Sequence, residues 1–139
     1  MSKSIGLAND TYWDSTSISH NQKPLSDVLN DTGWIDLTPL EGTWTRLQYR
    51  QIGDVVHLRG SCSALTYSGS GLKIATGLPG HKGNMSRYFF VPMTGSRISR
   101  WYITTSGNLT LEWARNISDA STYTSGSSWY ELEYSYCID

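Results

Sequence analysis

Apolar and polar residues alternate on both sides of Gly53 and Asp54, and this alternation is the clearest structural signal in the chain. After the dipeptide, one predicted strand face carries Val56, Leu58, Gly60 and Cys62, and the other carries His57, Arg59 and Ser61. Period-two alternation of this kind is typical of a β-strand with one face toward a core. Because Gly adopts a positive φ without a Cβ clash, Gly-Asp suits a two-residue turn. The pattern therefore predicts a β-hairpin centred on Gly53 and Asp54.

Six further stretches of the chain are predicted to form short strands. They cover residues 34–38, 72–76, 87–93, 98–105, 109–113 and 128–138. Turn-forming Gly, Pro, Ser and Asn separate them, and no helical period appears after residue 33. Pro92 indicates an edge position or a strand end. Together with the hairpin, this spacing predicts an all-β fold, an antiparallel β-sandwich or jelly-roll-like domain over residues 33–139.

Residues 1–32 lack the alternation and are predicted to form an N-terminal stem or connector. Their one periodic element covers residues 24–30, where Leu25, Val28 and Leu29 have the spacing of a helix face. A helix of about two turns is not stable alone in water. Its apolar face must therefore pack against its own domain or against other copies of the chain.

The composition argues against a nucleic-acid or membrane function. With 139 residues the chain has room for one domain and a short appendage. A formal net charge of −1 gives no electrostatic case for nucleic acid, which requires a clustered basic surface. No apolar run is long enough for a signal peptide or a membrane span. We therefore expect neither nucleic-acid binding nor membrane insertion.

Residues that commonly hold metals or cofactors lack the required spacing. His20, His57 and His81 are too scattered to form a metal site. Gly69 and Gly71 form a flexible turn and no phosphate cradle, because no helix is predicted after them. We expect no metal, no cofactor and no catalytic residue.

Cys62 and Cys137 both fall on predicted strands. Two buried free thiols are the simplest interpretation. A disulfide stays an open alternative, because it would require the two Cα atoms to lie within about 7 Å of each other.

Trp and Tyr dominate the aromatic residues, with six Trp and nine Tyr against two Phe. Both carry a polar group on a large apolar ring, which suits surfaces that are partly buried and partly wet. Sugar binding places such rings against a pyranose, while carboxylate, amide or Arg groups bind the hydroxyls. The candidate glycan-binding residues are Trp113, Tyr123 and Trp129 as rings and His81, Arg115, Asn116 and Asp119 as polar partners.

The three candidate rings differ in what their positions indicate. Tyr123 stands alone in a polar loop and is the strongest candidate for a ligand contact. Trp113 is in phase with Leu109 and Leu111, which favours a core position. Trp129 is out of phase with the apolar face of the last strand, so we expect it at a surface, with a subunit interface preferred over a ligand site.

Glu131 and Glu133 raise an enzymatic alternative. They lie on one face of a predicted strand, about 7 Å apart at Cα from the strand rise. Paired carboxylates at such separations hydrolyse glycosides. Solubilising charges on a water-facing strand are the simpler interpretation.

Three segments in fixed order resemble a known family. They are Gly-Trp-Ile-Asp-Leu-Thr at residues 33–38, Gln-Tyr-Arg-Gln-Ile-Gly-Asp-Val-Val-His-Leu-Arg-Gly at 48–60 and Ile-Ala-Thr-Gly-Leu-Pro-Gly at 74–80. Together they resemble the C-terminal β-sandwich head domain of tail-fibre and baseplate receptor-binding proteins from phages of Gram-positive bacteria. The segment 24–29 resembles the short connector that precedes this domain.

The resemblance implies a homotrimer at the tail tip or baseplate of a virion, attached to other phage tail or baseplate proteins. It implies a non-catalytic adhesion module without a cofactor. The expected ligand is a host cell-surface glycan, either a cell-wall polysaccharide or a teichoic-acid-type glycan.

Two loops depart from the family's pattern, so the identity of the glycan does not carry over. His81-Lys82-Gly83 replaces the usual residues after Leu-Pro-Gly, and the loop 115–128 has no counterpart. Two alternative functions are a structural module that only trimerises or docks another tail protein, and a tail-associated glycan hydrolase. The polar face of the opening hairpin is expected to pack or to form the trimer surface, through Arg46, Arg50, His57 and Arg59.

Overall fold

The computed structural model describes residues 30–68 and 71–139. The helix predicted over residues 24–30 lies outside these ranges except for Asn30. Residues Thr32–Asp139 form one compact unit. The described part of the chain contains eight strands and no helix, which confirms the predicted all-β, antiparallel fold.

The eight strands follow the predicted order along the chain. They are β1 (Ile35–Asp36), β2 (Thr43–Ile52), β3 (Val55–Ser63), β4 (Leu72–Ala75), β5 (Arg87–Met93), β6 (Arg97–Ile103), β7 (Leu109–Asn116) and β8 (Tyr130–Cys137). The strand predicted over residues 34–38 shortens to the two residues of β1. This strand lies at one edge of the sheet, where short strands protect against unwanted pairing.

The strands form one continuous antiparallel sheet in the order β1-β2-β3-β8-β5-β6-β7-β4. The sheet curls into a half-barrel, so that its two four-stranded halves face each other as the layers of a sandwich do. Between β5 and β8 the ladder has one residue pair, Met93 with Tyr130, and the Thr94 N–H donates to the Trp129 carbonyl beside it; these bonds join the two halves. The Trp44 ring on β2 contacts the Trp101 ring on β6 across this fold, with 6.5 Å between centroids.

Pro92 lies where the two halves of the sheet separate. Strand β5 pairs with β6 along its whole length but meets β8 only at Met93. A proline cannot donate to a hydrogen-bond ladder and is confined to edges and strand ends. The expectation for Pro92 agrees with this edge-like position.

The hairpin around Gly53 is confirmed in both turn and register. Ile52 pairs with Val55, which leaves a two-residue turn, and Gly53 has a φ of +60°. The predicted inward residues of β3 are all buried, namely Val56, Leu58, Gly60 and Cys62. Val56, Leu58 and Cys62 are part of the buried apolar core, whose removal from water stabilises the fold.

Strand β7 contains a β-bulge that sequence periodicity did not predict. Trp101 on β6 pairs with Leu111, but Arg100 pairs with Trp113, so Glu112 is the extra residue. A bulge of one residue reverses the alternation after it. Leu111, before the bulge, keeps the inward phase and is buried, while Trp113, after it, shares the outer face of the sheet with Arg100. Trp113 is therefore only partly buried and packs against the core from outside, whereas its phase with Leu109 and Leu111 predicted a position within the core.

The two cysteines are both free. Cys62 pairs with Tyr130 and Cys137 with Val55, which puts the two thiols at opposite ends of the β3–β8 pair. Burial raises the pKa of Cys62 to about 12, so its thiol is unreactive at neutral pH. Cys137 is exposed, which corrects the interpretation of both thiols as buried.

Candidate functional site

The outer face of β5, β6 and β7 carries a cluster of aromatic and charged side chains. With two adjoining loops, these strands enclose a concavity of about 600 Å³. We call it the aromatic site, and its lining residues are Tyr67, Gly71, Ser86, Tyr88, Tyr102, Glu112, Trp113 and Arg115.

Strand register brings the rings of this site together. Tyr88 on β5 is paired with Tyr102 on β6, and their ring centroids are 5.2 Å apart. Phe90 projects from the same face of β5 and meets the Trp113 ring edge-on at 6.0 Å. Phe90 is 61% exposed, a large fraction for a residue in a central strand of the sheet. The rings therefore cover one another only in part and leave apolar surface open to a partner.

Two arginines hold these rings in place. The Arg100 guanidinium lies 4.3 Å from the centre of the Tyr88 ring, and Arg115 lies 4.4 Å from the Trp113 ring. Such cation–π contacts fix ring orientation. Arg100 also forms an ion pair with Glu112, with 3.1 Å between Nε and Oε1. This contact lacks hydrogen-bond geometry, and Glu112 Oε1 is buried.

Arg115 differs from Arg100 because its donors are open. Within the described residues its guanidinium makes no side-chain hydrogen bond and no ion pair, and it lies over the Trp113 ring. Arg115 is exposed. A guanidinium held flat on a ring, with unused N–H groups, is suited to a forked hydrogen bond with a ligand oxygen.

Tyr67 forms the inner wall of the site. It is buried, and its backbone N–H donates to the Thr124 carbonyl at 2.6 Å. Burial raises the pKa of Tyr67, the negative charge of Glu112 raises it further, and the positive charge of Arg115 opposes both. The hydroxyl therefore stays protonated at neutral pH and remains a hydrogen-bond donor.

Of the seven predicted ligand residues, the structure brings two together in the aromatic site. These are Trp113, turned outward by the bulge, and Arg115, which lies on the same strand β7. Arg115 and Asn116 were assigned to the loop, but both belong to β7, where they pair with Ile98 and Arg97.

Tyr123 is a structural anchor, which corrects the expectation that it contacts a ligand. It is only 9% exposed, and its hydroxyl accepts a hydrogen bond from the Ser128 N–H at 3.1 Å. The Arg97 guanidinium covers its ring at 4.4 Å. A ring engaged in this way offers no free face for a sugar.

His81 is also buried, at 7% exposure, and does not serve as a loop partner for a ligand. Its Nε2 lies 3.1 Å from the Ile103 carbonyl, and its ring meets the Tyr136 ring edge-on at 5.8 Å. These contacts fasten the loop after β4 to the core. The expectation for His81 is corrected accordingly.

Asn116 and Asp119 make hydrogen bonds within their own part of the chain. Asn116 accepts from Arg97 Nε at 2.8 Å and donates to Ser121 Oγ at 2.9 Å. Asp119 accepts from the N–H and the hydroxyl of Ser121. Hydrogen bonds from the Ser121 side chain and then its backbone lower the pKa of Asp119. Both side chains therefore stabilise the loop, and neither lines the aromatic site.

The residues missed in the sequence are Tyr67, Tyr88, Tyr102 and Glu112. Alternation places Tyr88, Phe90 and Pro92 on one face of β5, and all three are exposed. It could not say that this face is outward, because the opposite face of the strand is also apolar. Only the pairing of β5 with β6 identifies the inward set.

A second concavity, which we call the outer groove, runs along the outer faces of β3 and β8. One part encloses about 620 Å³ and is lined by Trp34, Arg46, His57, Leu58, Arg59, Gly60, Pro92, Glu131, Leu132, Glu133, Tyr134 and Ser135. The adjoining part encloses about 360 Å³ and is lined by Ser61, Pro92, Met93, Thr94, Trp129 and Glu131. The groove thus holds Trp129 and the two carboxylates of the hydrolase alternative. The outward position predicted for Trp129 is correct, since its side chain is 40% exposed.

The described residues contain no group of three or more His, Cys, Asp or Glu side chains that could hold a metal ion. Nor do they include a helix long and apolar enough to cross a membrane.

Comparison of the chain with protein-family models, curated proteins and solved structures found no significant match.

Proposed function

We propose that this protein is a non-catalytic adhesion module that binds a host cell-surface glycan through the aromatic site. The observation that carries the proposal is the grouping of partly exposed Tyr and Trp rings with an arginine whose donors are open. Rings supply flat apolar surface for a pyranose, and the guanidinium and phenol supply donors for its oxygens. The concavity has the volume typical of small-ligand sites.

In this proposal the chain is the head of a phage tail or baseplate receptor-binding protein and acts as a homotrimer. Three segments of sequence resemblance support it, and the aromatic site is compatible with it. A shallow site of this kind binds a single sugar weakly. In a trimer, three weak sites that bind the same surface together would give a higher overall affinity than one site alone.

A purely structural docking module is the second candidate, and the exposure of Phe90 favours it. Phe carries no polar group, so an exposed Phe suits contact with apolar protein surface more than contact with water. A partner protein would cover the Phe90 and Tyr88 rings together, and a wall glycan would then bind weakly or not at all.

The test is binding of the full-length protein to cell walls isolated from Gram-positive bacteria, compared with the variant Tyr88→Ala. Tyr88 is 41% exposed, so its truncation should leave folding intact. We expect wall binding to fall about tenfold or more, about 1.4 kcal/mol. Ile117→Ala is the matched control, because Ile117 is an exposed apolar residue outside both concavities.

Undiminished wall binding by Tyr88→Ala would remove the aromatic site from the proposal. Absence of wall binding by the wild type, together with capture of a tail protein that depends on Phe90, would favour the docking module.

A further inference from the structure

The outer groove has the features of a second ligand site. Its floor is a ladder of polar pairs on the outer faces of β3 and β8. In this ladder His57 faces Ser135, Arg59 faces Glu133, and Ser61 faces Glu131. The ladder spans about 13 Å, four steps at about 3.3 Å per residue. This length exceeds that of a single sugar ring.

Three charged groups line the groove without a partner among the described residues. Arg46, Glu131 and Glu133 make no side-chain hydrogen bond or ion pair there. All three side chains are exposed. The groove therefore presents one open donor group and two open acceptor groups along the same floor.

The remaining polar groups are fixed in position. The Arg59 guanidinium stacks on the Trp34 ring at 3.7 Å, and its Nε donates to Gln48 at 3.0 Å. His57 Nδ1 lies 2.8 Å from Ser135 Oγ. Because His57 and Arg59 are held before a ligand arrives, these two side chains lose little conformational entropy on binding.

Two tryptophans line the groove, one in each of its two parts. Trp34 lines the part beside Arg59 and is 38% exposed, while Trp129 lines the part beside Met93 and is 40% exposed. Two partly exposed rings, separated by a polar floor, suit an elongated ligand that has both apolar faces and hydroxyl groups.

The charges in the groove balance. The two positive charges of Arg46 and Arg59 equal in number the two negative charges of Glu131 and Glu133. The groove therefore favours neither an anionic nor a cationic ligand. Covering this floor with protein is unfavourable, because the cores of protein interfaces are depleted of charged residues. An uncharged, hydroxyl-rich ligand can bind both the carboxylates and the guanidinium without bringing a charge that needs compensation.

We propose that the outer groove is a second saccharide-binding site, which takes a neutral oligosaccharide of more than one ring. The site is separate from the aromatic site, because the two share no lining residue. It gives each chain two sites on the outer surface of one sheet, on either side of strand β5. The polar face of the hairpin, expected to pack or to form the trimer surface, contributes Arg46, His57 and Arg59 to this groove.

The experiment is ¹⁹F NMR on the full-length protein labelled with 5-fluorotryptophan. Six resonances are expected from the six Trp, each assigned by a single Trp→Phe substitution. The probes are neutral oligosaccharides prepared from starch, cellulose, chitin and galactan. Trp34 and Trp129 report on the groove, Trp113 on the aromatic site, and the fully buried Trp101 is the internal control.

We expect at least one probe to shift the Trp34 and Trp129 resonances together and to leave Trp101 unchanged. Glu131→Gln and Glu133→Gln should each raise the dissociation constant for that probe about fivefold to tenfold, because an amide accepts more weakly than a carboxylate. Glu41→Gln is the matched control, an exposed carboxylate outside the groove.

Two results would overturn the proposal. One is that no probe moves Trp34 and Trp129 in the folded protein. The other is that a soluble paramagnetic agent broadens Trp113 but not Trp34 and Trp129, which would mean that another copy covers the groove. The Trp113 resonance is recorded in the same spectra. Lack of binding at the aromatic site can therefore be distinguished from lack of binding at the outer groove.

Discussion

The loop over residues 117–128 and the outer face of β5–β7 contain similar residues but use them differently. Both combine aromatic rings with polar side chains. In the loop, Tyr123 is buried and hydrogen-bonded, and Asp119 binds Ser121. On the strands, Tyr88 and Phe90 keep much of their surface exposed. One region uses its side chains to support its own structure, and the other presents them.

Backbone hydrogen bonding explains the difference. The backbone N–H and C=O groups of a strand are hydrogen-bonded to the neighbouring strands. The outward side chains are therefore not needed to satisfy backbone groups. A loop lacks that ladder and engages its own side chains to satisfy backbone groups. An isolated aromatic residue in a polar loop is therefore a candidate anchor as much as a candidate ligand contact.

Tyr123→Ala is the strongest test of this contrast. Because it removes a buried ring, we expect it to lower the free energy of unfolding by about 3–5 kcal/mol. The measurement is chemical denaturation followed by tryptophan fluorescence. Glycan binding by the fraction that remains folded should be close to that of the wild type.

Tyr123→Phe separates the ring from its hydroxyl. It leaves the Ser128 N–H without its acceptor and should cost about 1–2 kcal/mol. A Tyr123→Ala protein that is as stable as the wild type but has lost binding would restore Tyr123 as a ligand residue.

Trp113→Ala tests the other side of the contrast. We expect wall-glycan affinity to fall about tenfold to a hundredfold, about 1.4–2.7 kcal/mol, because the ring and the support for Arg115 are both lost. The loss of stability should be smaller than for Tyr123→Ala, since Trp113 is only partly buried. Tyr123→Ala should therefore differ from the wild type mainly in chemical denaturation, and Trp113→Ala mainly in a binding titration.

The alternation of residues was sufficient to predict most of the fold. It identified the hairpin at Gly53, the antiparallel strands and the inward face of β3, because burial on one face imposes a period of two. It failed at Glu112, where one extra residue reverses the phase and turns Trp113 outward. A bulge leaves no mark in the sequence that periodicity can detect, since the extra residue is defined by the partner strand.

The candidate site was less predictable than the fold for the same reason. Trp113 and Arg115 were chosen from the sequence as residues suited to sugars, but their partners Tyr88 and Tyr102 lie on other strands. They meet only through the register of β5, β6 and β7. Tyr123 and His81 were misjudged because their burial depends on packing across the molecule.

Arg115→Met should have a smaller effect on binding than Trp113→Ala. It keeps an apolar stem on the ring but removes the open donors, and we expect the dissociation constant for wall glycan to rise about threefold to tenfold, up to about 1.4 kcal/mol. Arg115→Lys retains the charge but lacks the planar fork, so its affinity should lie between those of Arg115→Met and the wild type. Full affinity in Arg115→Lys would indicate that charge alone matters, and full affinity in both would remove Arg115 from the site.

Asp119→Asn should produce the smallest effect, and only on stability. The pKa of Asp119 is lowered in the folded protein by hydrogen bonds from Ser121, so the ionised carboxylate favours folding. This contribution is present above the ordinary carboxyl pKa of about 3.9 and is lost as the pH falls through the lower folded value. The melting temperature of the variant should therefore lie slightly below that of the wild type at neutral pH, and the difference should vanish in acid.

A glycan-binding measurement on Asp119→Asn tests whether Asp119 only stabilises the loop or also contacts the ligand. If the loop is structural, Asp119→Asn binds wall glycan at neutral pH as tightly as the wild type, while its thermal unfolding shows the pH-dependent deficit. Glu41→Gln, an exposed carboxylate outside the loop, should show no such deficit. Loss of glycan binding without any change in melting would instead mean that Asp119 contacts the ligand directly, and the distinction between anchoring loop and presenting strands would then fail at this residue.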